Sequence, residues 1–270
     1  MAAFDPTASA AGIIAARAEL KRLRPFSETF GDFSRADANL VSAELDRMRR
    51  ATGERPVGRK IGFTNRNIWD EYGVHAPIWG NVYDTTLIEA AGGDKIAIGH
   101  LSQPRIEPEI VLGLDRDIGA GATREEAEQA VAWVAHGYEI VHTVFEDWKF
   151  AVADTVAEGG LHGLLVIGPR RRLAQAERAG LAARLAAIKI ELACDGAPMD
   201  RGTGANVLDG PVDALAFAAR EIAAEGSTTM KSGELVSTGT VTRAFPIASG
   251  QRWSTSISGY DLPGMDVIFA

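Results

Sequence analysis

The chain has 270 residues, 46% of them hydrophobic and 24% charged, an ordinary globular composition with enough apolar side chain for a substantial core. Its 36 acidic and 28 basic residues leave a formal net charge of −8, which argues against a nucleic-acid binder, since that would need a basic patch to displace counterions. Cys194 is the single cysteine, so an intrachain disulfide is excluded and a reducing, cytoplasmic setting is the expectation.

In chain order, the opening stretch is alanine-rich but interrupted by Asp5, Arg17, Glu19 and Lys21. That is the pattern of an amphipathic helix and not of a signal peptide's apolar core. Residues 8–22 and 35–50 carry apolar side chains at helical spacing, and the segment RPFSETFGDF between them reads as a connector. From Val57 onward, short apolar runs are broken by Gly and Pro: GRKIGFT, PIWGNVYDTTLIEA, GDKIAIGHL and RIEPEIVLGL. These read as strands and turns.

Residues 124–136 are expected to be helical, with a capping box at Thr123 and Glu126 and an apolar face of Ala127, Val131 and Val134. EIVHTVF, HGLLVIG and AIKIELACDG read as strands, 170–186 as helix or solvated loop, and Pro211 to Gly226 as a helix with good start and stop residues. The tail reads as strand and turn to its end. No window is long and apolar enough to span a membrane, so a soluble protein is expected. The order of elements lacks a regular βαβα alternation. It predicts an α+β fold: a small helical N-terminal part, residues 1–56, and a β-rich catalytic domain, residues 57–270, with an antiparallel or mixed, closed or rolled sheet.

The chemistry concentrates in Arg105-Ile106-Glu107-Pro108-Glu109-Ile110. On a strand, Glu107 and Glu109 share one face. Such a pair is more often a solvated strand face, but here apolar residues surround it, and Pro108 suggests a sheet edge or a bulge. Two adjacent carboxylates in that setting resist ionisation unless a cation sits between them. Glu139 lies in a second apolar strand that a strand–helix–strand connection can bring alongside. Three oxygen ligands without a Cys or His cluster suit a hard ion, Mg²⁺ or Mn²⁺. Arg105, at the head of the run, is a candidate substrate-binding cation.

Lys60 stands between Gly58 and Gly62 in an apolar strand, a candidate for holding a carboxylate or moving a proton. His142 and His162 are candidate proton carriers, each equally readable as a core histidine. Thr238 and Gly239 occupy a turn that suits an anion. There is no G-x-S-x-G and no dinucleotide fingerprint, which weakens nucleophilic hydrolase and nicotinamide readings.

The runs GRKIGFT, GVHAPIWGNVYD, QPRIEPEIVLGL, GYEIVHTVFEDWKFAVADTVAEGG and KSGELVSTG, in this order over residues 35–270, resemble the fumarylacetoacetate hydrolase superfamily. The closest branch is the one containing 2-keto-4-pentenoate hydratase and 4-oxalocrotonate decarboxylase. The resemblance implies a metal held by Glu107, Glu109 and Glu139, an active-site Lys60, and a substrate pocket lined by Thr238 and Gly239. It implies a rolled mixed β-sheet with a smaller N-terminal portion, in a homo-oligomer acting on a small 2-oxo acid, with hydration of a 2-hydroxy-2,4-dienoate as the expected reaction. Decarboxylation, C–C hydrolysis and non-catalytic binding of a 2-oxo acid are the alternatives. The chain departs from the pattern at Pro77-Ile78-Trp79-Gly80, where an acidic residue usually replaces Ile78, and at Glu158-Gly159-Gly160-Leu161-His162.

Overall fold

The computed structural model describes residues 4–66, 69–72, 77–224 and 229–270. Helix α1 (Pro6–Glu19) starts where the Asp5 side chain accepts from the Thr7 and Ala8 amides, and α3 (Arg35–Ala51) starts at a Ser34/Asp37 capping box. The connector between them is not structureless. It forms a one-turn helix, α2 (Phe26–Thr29), because Phe26, Phe30 and Phe33 gather on one another and on Phe4. Ala10, Ile13, Val41 and Leu45 of the long helices share one core with Ile78, Val144, Phe145 and Val156, so the helical layer rests directly on the body.

The body continues with β1 (Pro56–Gly62), α4 (Trp69–Tyr72), β2 (Ile78–Tyr83), β3 (Leu87–Glu89), β4 (Asp94–Ile96) and β5 (Arg105–Leu114). After these come α5 (Arg124–Ala130), β6 (Val131–Val141), α6 (Val152–Ala157), β7 (His162–Ile167), β8 (Arg171–Arg172), α7 (Gln175–Arg178) and α8 (Leu181–Ala186). The chain closes with β9 (Lys189–Cys194), β10 (Ala197–Thr203), α9 (Pro211–Ala224), β11 (Leu235–Thr240), β12 (Phe245–Pro246), β13 (Arg252–Ser258) and β14 (Asp266–Phe269). Gly226, the expected stop of the helix at Pro211, lies outside the described residues, as do 73–76 of the GVHAPIWG run.

A nine-stranded mixed sheet runs β2-β1-β11-β5-β6-β7-β3, with β12 added to β5 and β8 to β6. A five-stranded sheet runs β10-β9-β13-β14-β4. The two meet across a core of Ile106, Tyr138, Ile140 and Val166 from the first and Leu192, Trp253, Val267 and Phe269 from the second. Helices α5, α8 and α9 cover a separate core with Ile110, Leu112, Val131 and Val134. This is the expected α+β architecture with its rolled mixed sheet.

The helix expected over 124–136 is shorter than its pattern. The capping box forms as read, but the helix ends at Ala130, and Val131 and Val134 begin β6. Their spacing fits a helix face, yet β-branched residues with ladder partners on β5 gain more from the sheet. Of the two readings of Pro108, the sheet edge fails: it sits inside the sheet, between β11 and β6, with its carbonyl accepting from the Val241 amide at 3.0 Å, while a one-residue bulge does lie close by, in β11 opposite Ile110.

Candidate metal centre and active-site cavity

Strands β5 and β6 pair antiparallel with Glu107 directly opposite Glu139 and Glu109 opposite Gly137. Directly opposed residues and their i+2 neighbours share a face, so the register brings the three acids together. One carboxylate oxygen from each lies within 4.8 Å of the others. Glu109 and Glu139 are fully buried and Glu107 is half-buried.

Each buried acid is hydrogen-bonded through one oxygen only. The Ser237 hydroxyl (2.6 Å) and the Gly239 amide (2.9 Å) donate to Glu109 Oε2. Glu109 Oε1 is buried without a partner. His162 Nδ1 lies 2.9 Å from Glu139 Oε1. Glu139 Oε2 is 3.0 Å from Lys60 Nζ, an ion pair that lacks the alignment of a hydrogen bond. The Gly239 amide reaches Glu109 because that residue forms the bulge of β11 at a φ of +105°, where a Cβ would also strike the Thr64 hydroxyl at 1.7 Å. The bulge is therefore what aims an N–H at the acid.

Electrostatics give the same picture. Burial, with repulsion from Glu139 outweighing part of the relief from Lys60, pushes Glu107 up to about 7. Burial and then the Glu139 and Glu107 charges raise Glu109 well above the usual carboxylate range. Burial opposes ionisation of Glu139 too, but Lys60 and His162 outweigh it and hold that carboxyl low. Lys60 remains protonated although burial works against its charge, because Glu139, Glu107 and Glu109 surround it. Its ammonium donates to the Gly160 carbonyl at 2.8 Å. Three acids against one lysine are crowded together, with one oxygen from each within 4.8 Å of the others, so a cation among them would relieve their repulsion. An all-oxygen donor set fits a hard divalent ion.

In front of this cluster lies a cavity of about 160 Å³. Lys60, Thr64, Asn65, Glu107, Thr240 and Arg243 are its polar lining, and the remainder is largely aromatic and aliphatic. Ile78 is part of that apolar wall, 2% exposed, at the position where the resemblance would place an acid.

Several of the expected site residues do other work. Neither His142 nor His162 lines this cavity. Both border a chamber of about 390 Å³ behind β6, with Thr86 and His100. His162 sits there because it opens β7, paired with Val141, and its ring bridges Glu139 to the Thr86 hydroxyl, 2.9 Å from Nε2. His142 accepts a long hydrogen bond from the Ser102 amide and is kept neutral by burial. Thr238 turns its hydroxyl to the Ile110 carbonyl at 2.8 Å, and Gly239 serves Glu109; Thr240, next along, is the one that reaches the cavity. Arg105 does not line the cavity: its guanidinium stacks 4.1 Å from the centre of the Trp148 ring.

Sequence reasoning missed Ser237, Thr64 and the pair Trp148 and Phe150. For the last two a signal was present, since both lie in the distinctive run DWKFAVADTVA.

A family model for the fumarylacetoacetate hydrolase C-terminal region matches residues 83–260. The chain is 34% identical to the 2-hydroxyhexa-2,4-dienoate hydratase of Comamonas testosteroni over 88% of each chain. It is 31% identical to the 2-keto-4-pentenoate hydratase of Paraburkholderia xenovorans strain LB400, over 88% of this chain and 86% of that one. Among solved structures, the 4-oxalocrotonate decarboxylase of Pseudomonas putida G7, complexed with magnesium and adipate, superposes with a TM-score of 0.89 at 25% identity, covering 98% and 97% of the two chains.

Proposed function

The chain belongs to the fumarylacetoacetate hydrolase family, and from that premise we propose that it is a divalent-metal-dependent hydratase of a 2-hydroxy-2,4-dienoate. The observation that carries the reading is the convergence of three acids and one buried lysine at the end of a cavity sized for a small molecule. Two relatives over 30% identical are named as hydratases of this substrate class. The donor set and the magnesium of the neighbouring structure support Mg²⁺, and the same oxygen donors also suit Mn²⁺.

Glu107, Glu109 and Glu139 would hold the cation, which when bound would supply Lewis-acid stabilisation of the negative charge that develops on the substrate. In the reaction the enol proton leaves the substrate's 2-oxygen and a proton arrives at C5, giving a 2-oxo-3-enoate. Water then adds its oxygen at C4 and a hydrogen at C3, giving a 4-hydroxy-2-oxo acid. Lys60 holds the substrate carboxylate or carries a proton, since its charge is fixed in the polar lining of the cavity. Glu109 and Glu139 are oriented for their role by Ser237, Gly239 and His162. The apolar wall at Ile78 excludes stray water from the reacting carbons. We assign catalysis to residues 57–270, with 1–56 as a helical part backing the site, in a cytoplasmic homo-oligomer.

Decarboxylation of a related 2-oxo acid is the second reading, favoured by the close superposition on a decarboxylase. Product analysis with Mg²⁺ separates the two. Incorporation of one water oxygen at C4 of a 2-hydroxydienoate is the expected result; release of carbon dioxide from a carboxylated substrate without hydration would replace the hydratase reading.

A further inference from the structure

The segment after β6 and the residues leading into β5 are strained in a way the reaction above does not use. Gln103, Asp147 and Trp148 all adopt left-handed backbone, at φ of 52°, 56° and 58°, although none is glycine. Such positions persist only where the surroundings over-determine them, and here they do. The Asp147 amide donates to Gln103 Oε1 at 3.0 Å, the Trp148 indole N–H donates to the Gln103 carbonyl at 3.1 Å, and Gln103 Nε2 donates to the Phe145 carbonyl at 2.8 Å. Arg105 stacks on the indole ring, and Phe150 packs beside it with centroids 6.0 Å apart.

What this framework holds in place is a wall of the cavity: Phe63, Trp148, Phe150 and Phe245 line it together with Ile78. Arg243 lines it too, but its guanidinium is paired with Asp200 at 3.3 Å and lies over the Phe245 ring. Besides Lys60, Glu107 and the polar side chains Thr64, Asn65 and Thr240, the lining thus offers aromatic and aliphatic faces, and its one further cation among the described residues, Arg243, is already paired with an acid. Aromatic faces select flat, polarisable, uncharged groups.

We infer that Trp148 is a specificity-determining residue that grips the far end of the substrate, and that this end is a flat, uncharged group conjugated to the dienoate, an alkenyl or aryl substituent. Gln103 and Arg105 are positioning residues that hold the indole in place. The inference rests on the hydratase reading for the identity of the head group, while the choice of tail rests on the wall alone.

The test compares the wild type, Trp148→Leu, Trp148→Phe and Gln103→Leu with Mg²⁺ on three substrates: unsubstituted 2-hydroxypenta-2,4-dienoate, its phenyl-substituted analogue, and an analogue ending in a second carboxylate. The wild type prefers the phenyl tail. Trp148→Leu loses about 10- to 50-fold in kcat/KM on that substrate, through KM, and under about threefold on the other two. Trp148→Phe recovers part of the loss, and Gln103→Leu shows the same pattern at smaller size. Equal losses on all three substrates, or none, overturn the assignment. If the wild type hydrates none of them, the hydratase reading fails separately. The tail is then tested by calorimetry with Mg²⁺, using pyruvate against 2-oxo-5-phenylpentanoate. A gain in affinity for the longer acid that disappears in Trp148→Leu supports the role of Trp148, and equal affinity in the wild type overturns it.

Discussion

The floor of the cavity and its far wall are built by opposite means. The floor is carried by β5 and β6, the most central pair of the large sheet, and its acids are set by ladder register, a bulge in β11 and short hydrogen bonds. The wall is carried by a connection whose left-handed residues are held by one glutamine and a stacked arginine. The difference teaches where reaction and selectivity reside. A group that must be placed to a fraction of an ångström belongs on rigid strands, whereas a surface that chooses among tails can sit on a loop. Damage to the floor should therefore abolish turnover with the fold intact, and damage to the wall should redistribute preference.

The sharpest way to break this comparison is Lys60→Ala. Lys60 is 2% exposed and touches both Glu139 and the Gly160 carbonyl. Turnover should fall by about 10²- to 10⁴-fold for loss of a positioned proton carrier or carboxylate anchor, with the circular dichroism spectrum unchanged. Near-normal rates would remove Lys60 from the chemistry and leave the floor without its cation.

Glu109→Gln comes next. Two of the three acids are raised by burial and mutual repulsion, so neutralising one should relieve strain in the metal-free protein while emptying the cage of a ligand. The melting temperature in chelator should rise, and the upward shift on adding Mg²⁺, which reports binding to the native state, should vanish. A variant that still shows the full Mg²⁺-dependent shift would show that Glu109 does not hold the ion. Changes in the wall, such as Trp148→Leu, should leave that shift untouched.

His162→Ala tests the floor one step back. The imidazole fixes one Glu139 oxygen and is itself fixed by Thr86. Removing an outer hydrogen bond of this kind weakens metal affinity by about 10- to 100-fold. Saturating Mg²⁺ should then restore most of kcat if the ring is a positioning group. Activity that stays lost at saturating metal would mean the ring takes part in proton transfer after all.

The floor was more legible in the sequence than the wall, for a physical reason. An E-x-E on an apolar strand breaks the rule that buried charges need partners, and the breach itself points to a cation. The alternation of side chains along a strand then puts both acids on one face without any knowledge of the partner strand. What could not be read was anything decided by register or by a bulge. Val131 and Val134 satisfy a helix period as well as a strand, and only the ladder to β5 decides between them. The facing of His162 depends on its pairing with Val141 across an irregularity in β7, and the Gly239 amide reaches Glu109 only through the extra residue in β11. Trp148 was visible as part of an unusual run, but its left-handed backbone leaves no mark in the sequence.

The smallest effect concerns the chamber behind β6 and reads on stability alone. His142 is buried, and burial first, then the nearby Arg17, His162, His100 and Arg49 charges, lowers it well below the ordinary imidazole value of 6.5. The folded protein therefore keeps this ring neutral at pH values where the unfolded chain binds a proton. With more protons on the unfolded state, stability rises with pH through the window below about 6.5, is complete above it, and is lost as the solution is acidified. One such group contributes a slope of at most about 1.4 kcal/mol per pH unit. His142→Asn should flatten the acid side of the stability curve between about pH 5.5 and 6.5 by up to that slope, measured by urea unfolding in Mg²⁺, and leave the turnover rate at pH 8 within about twofold. An unchanged slope would place a charged or solvated imidazole at 142. A large loss of turnover at pH 8 would instead tie the rear chamber to the chemistry, and the separation of floor from surroundings would have to be redrawn to include it.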